Sequence, residues 1–405
     1  MLLVPTDTLV HPMGVTLPHL LHRAELLLNP PPRTPTPSPG HVYLHVPFCG
    51  RRCSYCDFAI AVRREVPIAQ FIDAIKAELV TRGIGPAVGP FRSLYFGGGT
   101  PSKLGAGIGE LTKLISEVAE VRVGTLGEVT VEANPEDITP AVVRAWVAAG
   151  VNRVSLGVQS FDDAVLTWMH RTHTAAQVLA AVDILVGEGI SNFSVDLIFS
   201  VPEVLRRDWA RDVESALALE PRHLSVYGLT IEPHTPLGRW TARGEATESP
   251  EERYEAEFLE ASRRLVGAGF VHYEVSNYAR PGYEAEHNSA YWRGVPYLGL
   301  GPSAHGFDGE RRRWNAREFA RWSELVAAGT DPMEGDELIG PPQRSAERVY
   351  LGLRTTEGLE ATGHEFELAA RWISEGWAER VGARLVLTPT GWLRLDALAV
   401  ALTSR

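Results

Sequence analysis

From Val42 onward the chain alternates short β-rich runs with amphipathic segments. The runs are VYLHV (42–46), RSLYF (92–96), EVTVEA (128–133), NRVSLGV (152–158), NFSVDLIF (192–199) and HLSVYGL (223–229). Between them apolar residues recur at helical spacing. Phe71, Ile72, Ile75 and Leu79 share one face of 69–82, and Ile108, Leu111, Leu114, Ile115 and Val118 share one face of 108–118. Gly150 and Gly189 stand where helices need a C-terminal cap. Such alternation implies parallel βαβ units with right-handed crossovers. Six units fit either an open doubly wound sheet or an incomplete barrel, and the positions of the unusual residues decide between them. Cysteines follow the first run and GGGTP (Gly97 to Pro101) follows the second. Glu132 ends the third, Gln159 follows the fourth, Asp196 lies within the fifth, and Tyr227 and Thr230 end the sixth. Polar or glycine-rich features at the carboxyl end of every strand mark the active face of a barrel. The expected fold is therefore α/β: a partial (β/α)6 TIM-like barrel over 41–270.

Outside that region the pattern changes. Residues 1–40 read as a tail, because the stretch from Asn29 to Gly40 is half proline and forms neither a helix nor a central strand. A further β-rich run, FVHYEVSNYA, opens a glycine- and aromatic-rich extension over 271–335. The final segment, 336–405, has helical patterning near 343–353 and 364–376. It closes on WAERVGARLVLTPTGWLRLDALAVAL, which reads as a β-hairpin followed by a helix. A small helical, winged-helix-like domain is expected there, in a packing role, since the chain has no basic helix to offer DNA.

Charge narrows the function. The formal net charge is −11, which argues against nucleic acid as a partner. No apolar run approaches the roughly 20 residues of a membrane span, although peripheral contact with membrane proteins is compatible with this pattern. The start MLLVPTDTLVHPMG lacks the basic opening and sustained apolar stretch of a secretory leader. There are three cysteines, Cys49, Cys53 and Cys56, all within eight residues. An odd, tightly spaced set is a poor disulfide framework and points to metal in a reducing compartment, so a cytoplasmic location is expected.

The cysteine segment is YLHVPFCGRRCSYCDF, spaced C-x3-C-x2-C. Thiolates are the protein ligands of a [4Fe–4S] cluster, and three of them leave one iron open. That iron can take the amino and carboxylate groups of S-adenosylmethionine, and an electron passed to the sulfonium then breaks a carbon–sulfur bond. The cofactors carry this chemistry while the protein orients them. A structural zinc site is the rival, with His45 as fourth ligand, but His45 lies inside an expected strand.

The segment from Tyr43 to Phe58 resembles the radical-SAM signature of the oxygen-independent coproporphyrinogen III oxidase family. YFGGGTPS, VTVEANPE, VSLGVQSF, VDLIFSVP and YEVSNYARPGYEAEHNSAYW follow in order, so the resemblance spans about 42–400. It implies that Gly98, Gly99 and Thr100 receive the methionine end of S-adenosylmethionine and that Glu132 faces its amino group or ribose. Gln159, Arg171 and Asp196 would hold ribose and carboxylate, and Tyr43 and the backbone at Thr230 would line the same pocket. Taken singly, each reads equally well as a turn glycine, a barrel-layer side chain or a surface ion pair. Their recurrence at strand ends makes them a set.

Two branches of that family differ in chemistry. The oxidase branch carries a fourth cysteine two residues beyond the third, where this chain has Phe58. The CDF ending and HNSAYW (His287 to Trp292) instead resemble the HemW-type heme chaperone branch. That resemblance implies heme as cargo, heme-accepting proteins and an electron donor as partners, and retention of the cluster. Oxidation of coproporphyrinogen III is the alternative. His287, Tyr291 and Trp292 are the candidate heme residues, an imidazole with two aromatic faces, and His305 is a second candidate ligand. Either histidine reads otherwise as a hydrogen-bonded packing residue.

Overall fold

Period-two alternation decides what each strand shows to its two sides. Strand β1 (His41–Val46) sends Val42, Leu44 and Val46 outward into the hydrophobic core and His41, Tyr43 and His45 inward. A two-residue pair, β2 (Phe48–Cys49) with β3 (Ala61–Val62), brackets the cysteine loop. Then come α1 (Ile68–Thr81), β4 (Ser93–Gly98), α2 (Gly107–Val118), β5 (Glu128–Ala133), α3 (Pro140–Ala148) and β6 (Arg153–Gln159). The series continues with α4 (Asp163–Trp168), α5 (Ala175–Gly187), β7 (Phe193–Phe199), α6 (Trp209–Ala218) and β8 (His223–Gly228). This computed structural model describes residues 40–85, 91–118 and 127–403; almost all of the expected proline-rich tail lies outside them.

The six strands β1, β4, β5, β6, β7 and β8 are parallel neighbours in that order, with helices at every crossover. The expected partial (β/α)6 barrel is what the chain forms. Caps start its helices where the sequence provides them. Thr139 accepts from the Val142 amide, Thr174 and Gln177 form a capping box, and Asp208 accepts from the Arg211 amide. Outward valines, leucines and phenylalanines pack against these helices in one continuous core. The inward positions are Ser93, Tyr95, Glu128, Thr130, Glu132, Arg153, Ser155, Ser194, Asp196, His223 and Ser225, which leaves the lumen polar. Barrels of this kind are usually filled by branched apolar side chains; this one is built to hold polar groups inside.

After α7 (Pro236–Ala242) and α8 (Glu251–Gly267), the hairpin β9 (Val271–Glu274) and β10 (Asn277–Ala279) adds antiparallel to β8. Helix α9 (Glu286–Trp292) leads to β11 (Leu298–Leu300), which pairs parallel with β1 at the opposite edge. The main sheet therefore has nine strands. A separate antiparallel sheet holds β12 (His305–Phe307), β13 (Arg311–Asn315) and β14 (Met333–Leu338), with α10 (Phe319–Ala327) between the last two. The carboxyl-terminal region begins with α11 (Pro341–Leu353) and β15 (Leu359–Glu360). Where one helix was expected over 364–376 there are two, α12 (Gly363–Leu368) and α13 (Ala370–Ser374). Strands β16 (Ala378–Val381) and β17 (Arg384–Leu387) form the expected hairpin, joined by β15, and α14 (Pro389–Trp392) and α15 (Leu395–Thr403) follow. Trp392 ties this region to the barrel. Its indole N–H donates to the Leu353 carbonyl at 3.0 Å and its ring meets His272 edge-on at 4.4 Å. Among the described residues no helix is long and apolar enough to cross a membrane.

Candidate functional site

The cysteine loop sits over the carboxyl ends of the strands because both its arms are tied down. The Ala61 amide donates to the Pro47 carbonyl and the Arg63 amide to the Cys49 carbonyl, which closes the β2–β3 pair. In the middle, the Ser54 amide donates to the Met169 carbonyl at 3.0 Å and the Ser54 carbonyl accepts from the Leu237 amide at 2.8 Å. Cys49 is buried, Cys53 and Cys56 are half-buried, and all three thiols are free. Burial pushes the Cys56 thiol up to about 12, with the neighbouring Cys53 and Cys49 adding to the rise. A metal that takes these sulfurs must displace their protons.

His45 does not serve as a fourth ligand. Its Nε2 bonds the Ala59 carbonyl at 2.9 Å and its Nδ1 the Tyr43 hydroxyl at 3.1 Å. Burial holds the ring down to about 4, so it is neutral and both nitrogens are engaged. Among the described residues no three His, Cys, Asp or Glu side chains converge tightly enough for a single metal ion. Three free thiols around one loop, with one face turned to the barrel mouth, fit a group as large as a cluster.

Beneath the loop the glycines of β4 explain themselves. A Cβ on Gly99 would lie 2.7 Å from the Pro47 carbonyl oxygen, in the backbone that leads to Cys49. Gly98 has φ of +115°, which only glycine adopts without strain, and a Cβ there would strike the His45 ring at 2.7 Å. The glycine run thus lets β4 pass directly under the cysteine loop. Thr100, just beyond it, is buried with its Oγ1 3.3 Å from Cys49 Sγ.

Glu132 lies next to that run. Its Oε1 accepts from the Tyr95 hydroxyl at 2.8 Å and its Oε2 from the Gly98 amide at 3.1 Å. Burial, with nearby Asp196 adding to it and these two hydrogen bonds opposing it, lifts its carboxyl to about 7. Asp196 is held by the Ser155 hydroxyl at 2.9 Å and the Ser194 hydroxyl at 3.1 Å, and burial raises it too. Arg171 reaches in from the loop after α4. It donates to Asn134 Oδ1 at 2.6 Å and to the Gly157 carbonyl at 2.8 Å, with Cys53 Sγ 3.7 Å away. Gln159 ends β6 with φ of +67°, a left-handed backbone that a non-glycine residue holds only at a cost. Tyr43 lies one layer deeper, stacked on Tyr95 at 6.1 Å, and Thr230 is exposed after β8. Tyr95 and Asn134 were missed by sequence reasoning. Both sit inside quoted segments, YFGGGTPS and VTVEANPE, but neither residue type announces a ligand.

The HNSAYW segment is helix α9, and helical geometry divides it. His287 and Tyr291, four apart, share the inward face and close the amino-terminal end of the lumen. His287 Nδ1 bonds Ser93 Oγ at 2.7 Å and its Nε2 bonds the Tyr291 hydroxyl at 2.8 Å. Its ring stacks on Tyr95 at 5.0 Å and is 1 % exposed; burial holds it down to about 3. Glu128 receives the helix, accepting from the Glu286 and His287 amides at 2.9 and 3.2 Å. The structure thus places the candidate heme residue His287 inside the barrel, as a neutral, doubly bonded part of its wall. Tyr291 is spent on the same contact. Trp292, a helical step further round, leaves the lumen and faces a cleft on the other side. His305 is exposed on β12 and stacks on Trp314 at 5.8 Å.

A polar-lined partial barrel with three free thiols over its strand ends belongs to a defined class: residues 43–216 match the Radical SAM superfamily. The fold matches the crystallographic coproporphyrinogen III oxidase HemN of Escherichia coli, a radical SAM enzyme, with a TM-score of 0.75 over 92% of each chain at 21% identity. The heme chaperone HemW of Mycobacterium tuberculosis is 37% identical over 373 residues, 89% of this chain and 95% of that one. The heme chaperone HemW of Bacillus subtilis is 32% identical over 78% of this chain and 84% of its own. The mouse mitochondrial radical S-adenosyl methionine domain-containing protein 1 is 36% identical over 83% and 78%. The chain belongs to the HemW family of radical SAM proteins.

Proposed function

We propose that the protein is a cytoplasmic heme chaperone that keeps a [4Fe–4S] cluster and S-adenosylmethionine and hands heme to acceptor proteins. What carries the reading is the 37% identity to a heme chaperone along 89% of the chain. Cys49, Cys53 and Cys56 would hold three irons of the cluster, with the fourth left to S-adenosylmethionine because the chain has no other cysteine. When bound, that pair supplies one-electron chemistry at the sulfonium. The protein's own residues do the positioning. Glu132, fixed by Tyr95 and the Gly98 amide, would accept from the amino end of the cofactor. Arg171, braced by Asn134, places a positive charge beside the cysteine loop, and Asp196 and Gln159 offer acceptors across the barrel mouth. An electron donor is required as a further partner.

Oxidation of coproporphyrinogen III is the second reading, favoured by the shared fold. Phe58, 46% exposed beside the loop, stands where the oxidase has its fourth cysteine and argues against it. Anaerobic reconstitution with iron and sulfide, followed by heme titration and a separate assay on coproporphyrinogen III, separates the two. A saturable Soret shift with no protoporphyrinogen formed is expected. Turnover of coproporphyrinogen at an enzymatic rate, or the absence of heme binding, overturns the chaperone.

A further inference from the structure

Asp196 stands at the end of a line of buried groups that leads away from the barrel mouth. Ser194, two positions earlier on β7, shares its inward face, and His223 on β8 stands beside Ser194 in the sheet register. His223 Nδ1 lies 2.8 Å from Ser194 Oγ, and its Nε2 lies 2.8 Å from the hydroxyl of Tyr273 on β9. That hydroxyl accepts from the Ala285 amide at 3.3 Å. Ser194, His223 and Tyr273 are all buried.

We propose that Tyr273 and His223 are positioning residues for S-adenosylmethionine: with Ser194 they form a relay of donors, all pointing one way, that ends on Asp196 and holds its carboxylate ready to accept from a ribose hydroxyl. The proposal rests on the cofactor reading above and adds two residues that act on the cofactor only through Asp196.

The protons fix the direction. An amide only donates, so the Ala285 N–H occupies one lone pair of the Tyr273 oxygen. Among the described residues that hydroxyl has one other partner, His223 Nε2, so its own proton is used only by donating there. Burial, with nearby Arg153 adding to it, holds the His223 imidazole well below the usual histidine range. The ring is therefore neutral and has a single N–H, which sits on Nδ1 and donates to Ser194 Oγ. Ser194 in turn donates to Asp196 Oδ1 at 3.1 Å, nearer than its alternative, Ser225 Oγ at 3.4 Å. The reverse order loses the bond to Asp196 and strands the Tyr273 proton in a buried site.

Hydrogen bonds in a line polarise one another, and more so away from water. Each upstream donor therefore strengthens the last one, and the support reaches the carboxylate from the far side of the barrel. Ser155 holds the same group from β6, at 3.1 and 2.9 Å to its two oxygens, and Ser225 bonds it from β8. A carboxylate accepts at about four positions, so capacity remains for a ligand hydroxyl.

The test reads S-adenosylmethionine affinity by equilibrium dialysis of the full reconstituted protein. Tyr273→Phe deletes one oxygen and keeps the ring; it should weaken binding roughly fivefold, the worth of about one hydrogen bond. In an Asp196→Asn background the same change should move affinity less than about twofold, because a neutral amide gives the relay no charge to support. A merely structural Tyr273 would lower the denaturation midpoint equally in both backgrounds and show no such dependence on Asp196. Ser194→Ala cuts the relay at its last link, so adding Tyr273→Phe to it should weaken binding no further. Nitrogen NMR of the cofactor-free wild type needs no variant and should find His223 neutral with its proton on Nδ1. A proton on Nε2, unchanged affinity in Tyr273→Phe, or an equal loss in the Asp196→Asn background overturns the relay while leaving S-adenosylmethionine in the mouth. Failure of the reconstituted wild type to bind S-adenosylmethionine overturns the cofactor reading, and the positioning role with it.

Discussion

The mouth of the barrel and helix α9 were both marked by short runs of suggestive residues, yet only at the mouth does a run act as one unit. Along the mouth, neighbouring residues are delivered by strand ends and loops, which keep consecutive residues together. Cys49, Cys53, Cys56, Thr100 and Arg171 therefore share one small volume. In α9, six consecutive residues cover more than a full turn and a half, so His287 and Trp292 point into different compartments. A contiguous motif is a contiguous site on a loop and a divided one on a helix.

The sharpest way to test the mouth as a unit is to remove one thiol. Cys53→Ala should take anaerobically reconstituted iron from about four per chain to less than one. Its Sγ makes a single long contact to Arg171, at 3.7 Å, so the fold should not need it. Far-ultraviolet circular dichroism and the denaturation midpoint should stay at wild-type values. Retention of a full cluster by this variant would mean that the loop is not the ligand set.

Helix α9 should behave in the opposite way. His287→Ala removes an imidazole with two hydrogen bonds and a stacked tyrosine, leaving the Tyr291 hydroxyl without that bond and Ser93 with His41 alone, around a void. A loss of about 3 kcal/mol is expected from the cavity and the orphaned Tyr291 hydroxyl together, read as a shift of the denaturant midpoint. The heme spectrum of the remaining folded protein should be that of the wild type. If stability is untouched and the heme spectrum changes, His287 is a ligand and α9 acts as one unit as the mouth does.

Much of this was legible before the structure. The six strands fall within a residue or two of their sequence-read limits, because period-two alternation here separates an apolar exterior from a polar lumen. The long 364–376 helix was read through its break, since apolar spacing continues across Ala369 although the chain turns there. The two-residue strand β15 carries too little pattern to register. The cysteine loop was legible from residue type alone. Tyr95 and Asn134 were not, because their importance lies in whom they bond: Tyr95 reaches Glu132 across 37 positions, and Asn134 reaches Arg171 across the same separation. The charge of Glu132 was also beyond the sequence, since it depends on how deeply the strand end is buried.

That charge gives the finest test of the mouth. With its carboxyl lifted from 4.5 to about 7 by burial, Glu132 is neutral in mildly acidic solution and ionised in mildly basic solution. In the cofactor-free protein the folded state therefore holds a proton that the unfolded state has lost, and this group makes stability fall as pH rises between 4.5 and about 7. Cofactor binding has the opposite sign. An ionised carboxylate accepts from the amino end of S-adenosylmethionine better than a neutral one does, so affinity should rise on the order of tenfold between about pH 5.5 and 7.5. Glu132→Gln should flatten that slope and leave affinity near the acidic wild-type value, because the amide can still accept one hydrogen bond but never gains the charge. Equilibrium dialysis of the reconstituted protein at several pH values would measure both curves. Parallel slopes for wild type and variant would place the titrating group elsewhere in the mouth, with Asp196, similarly raised by burial, the next to replace.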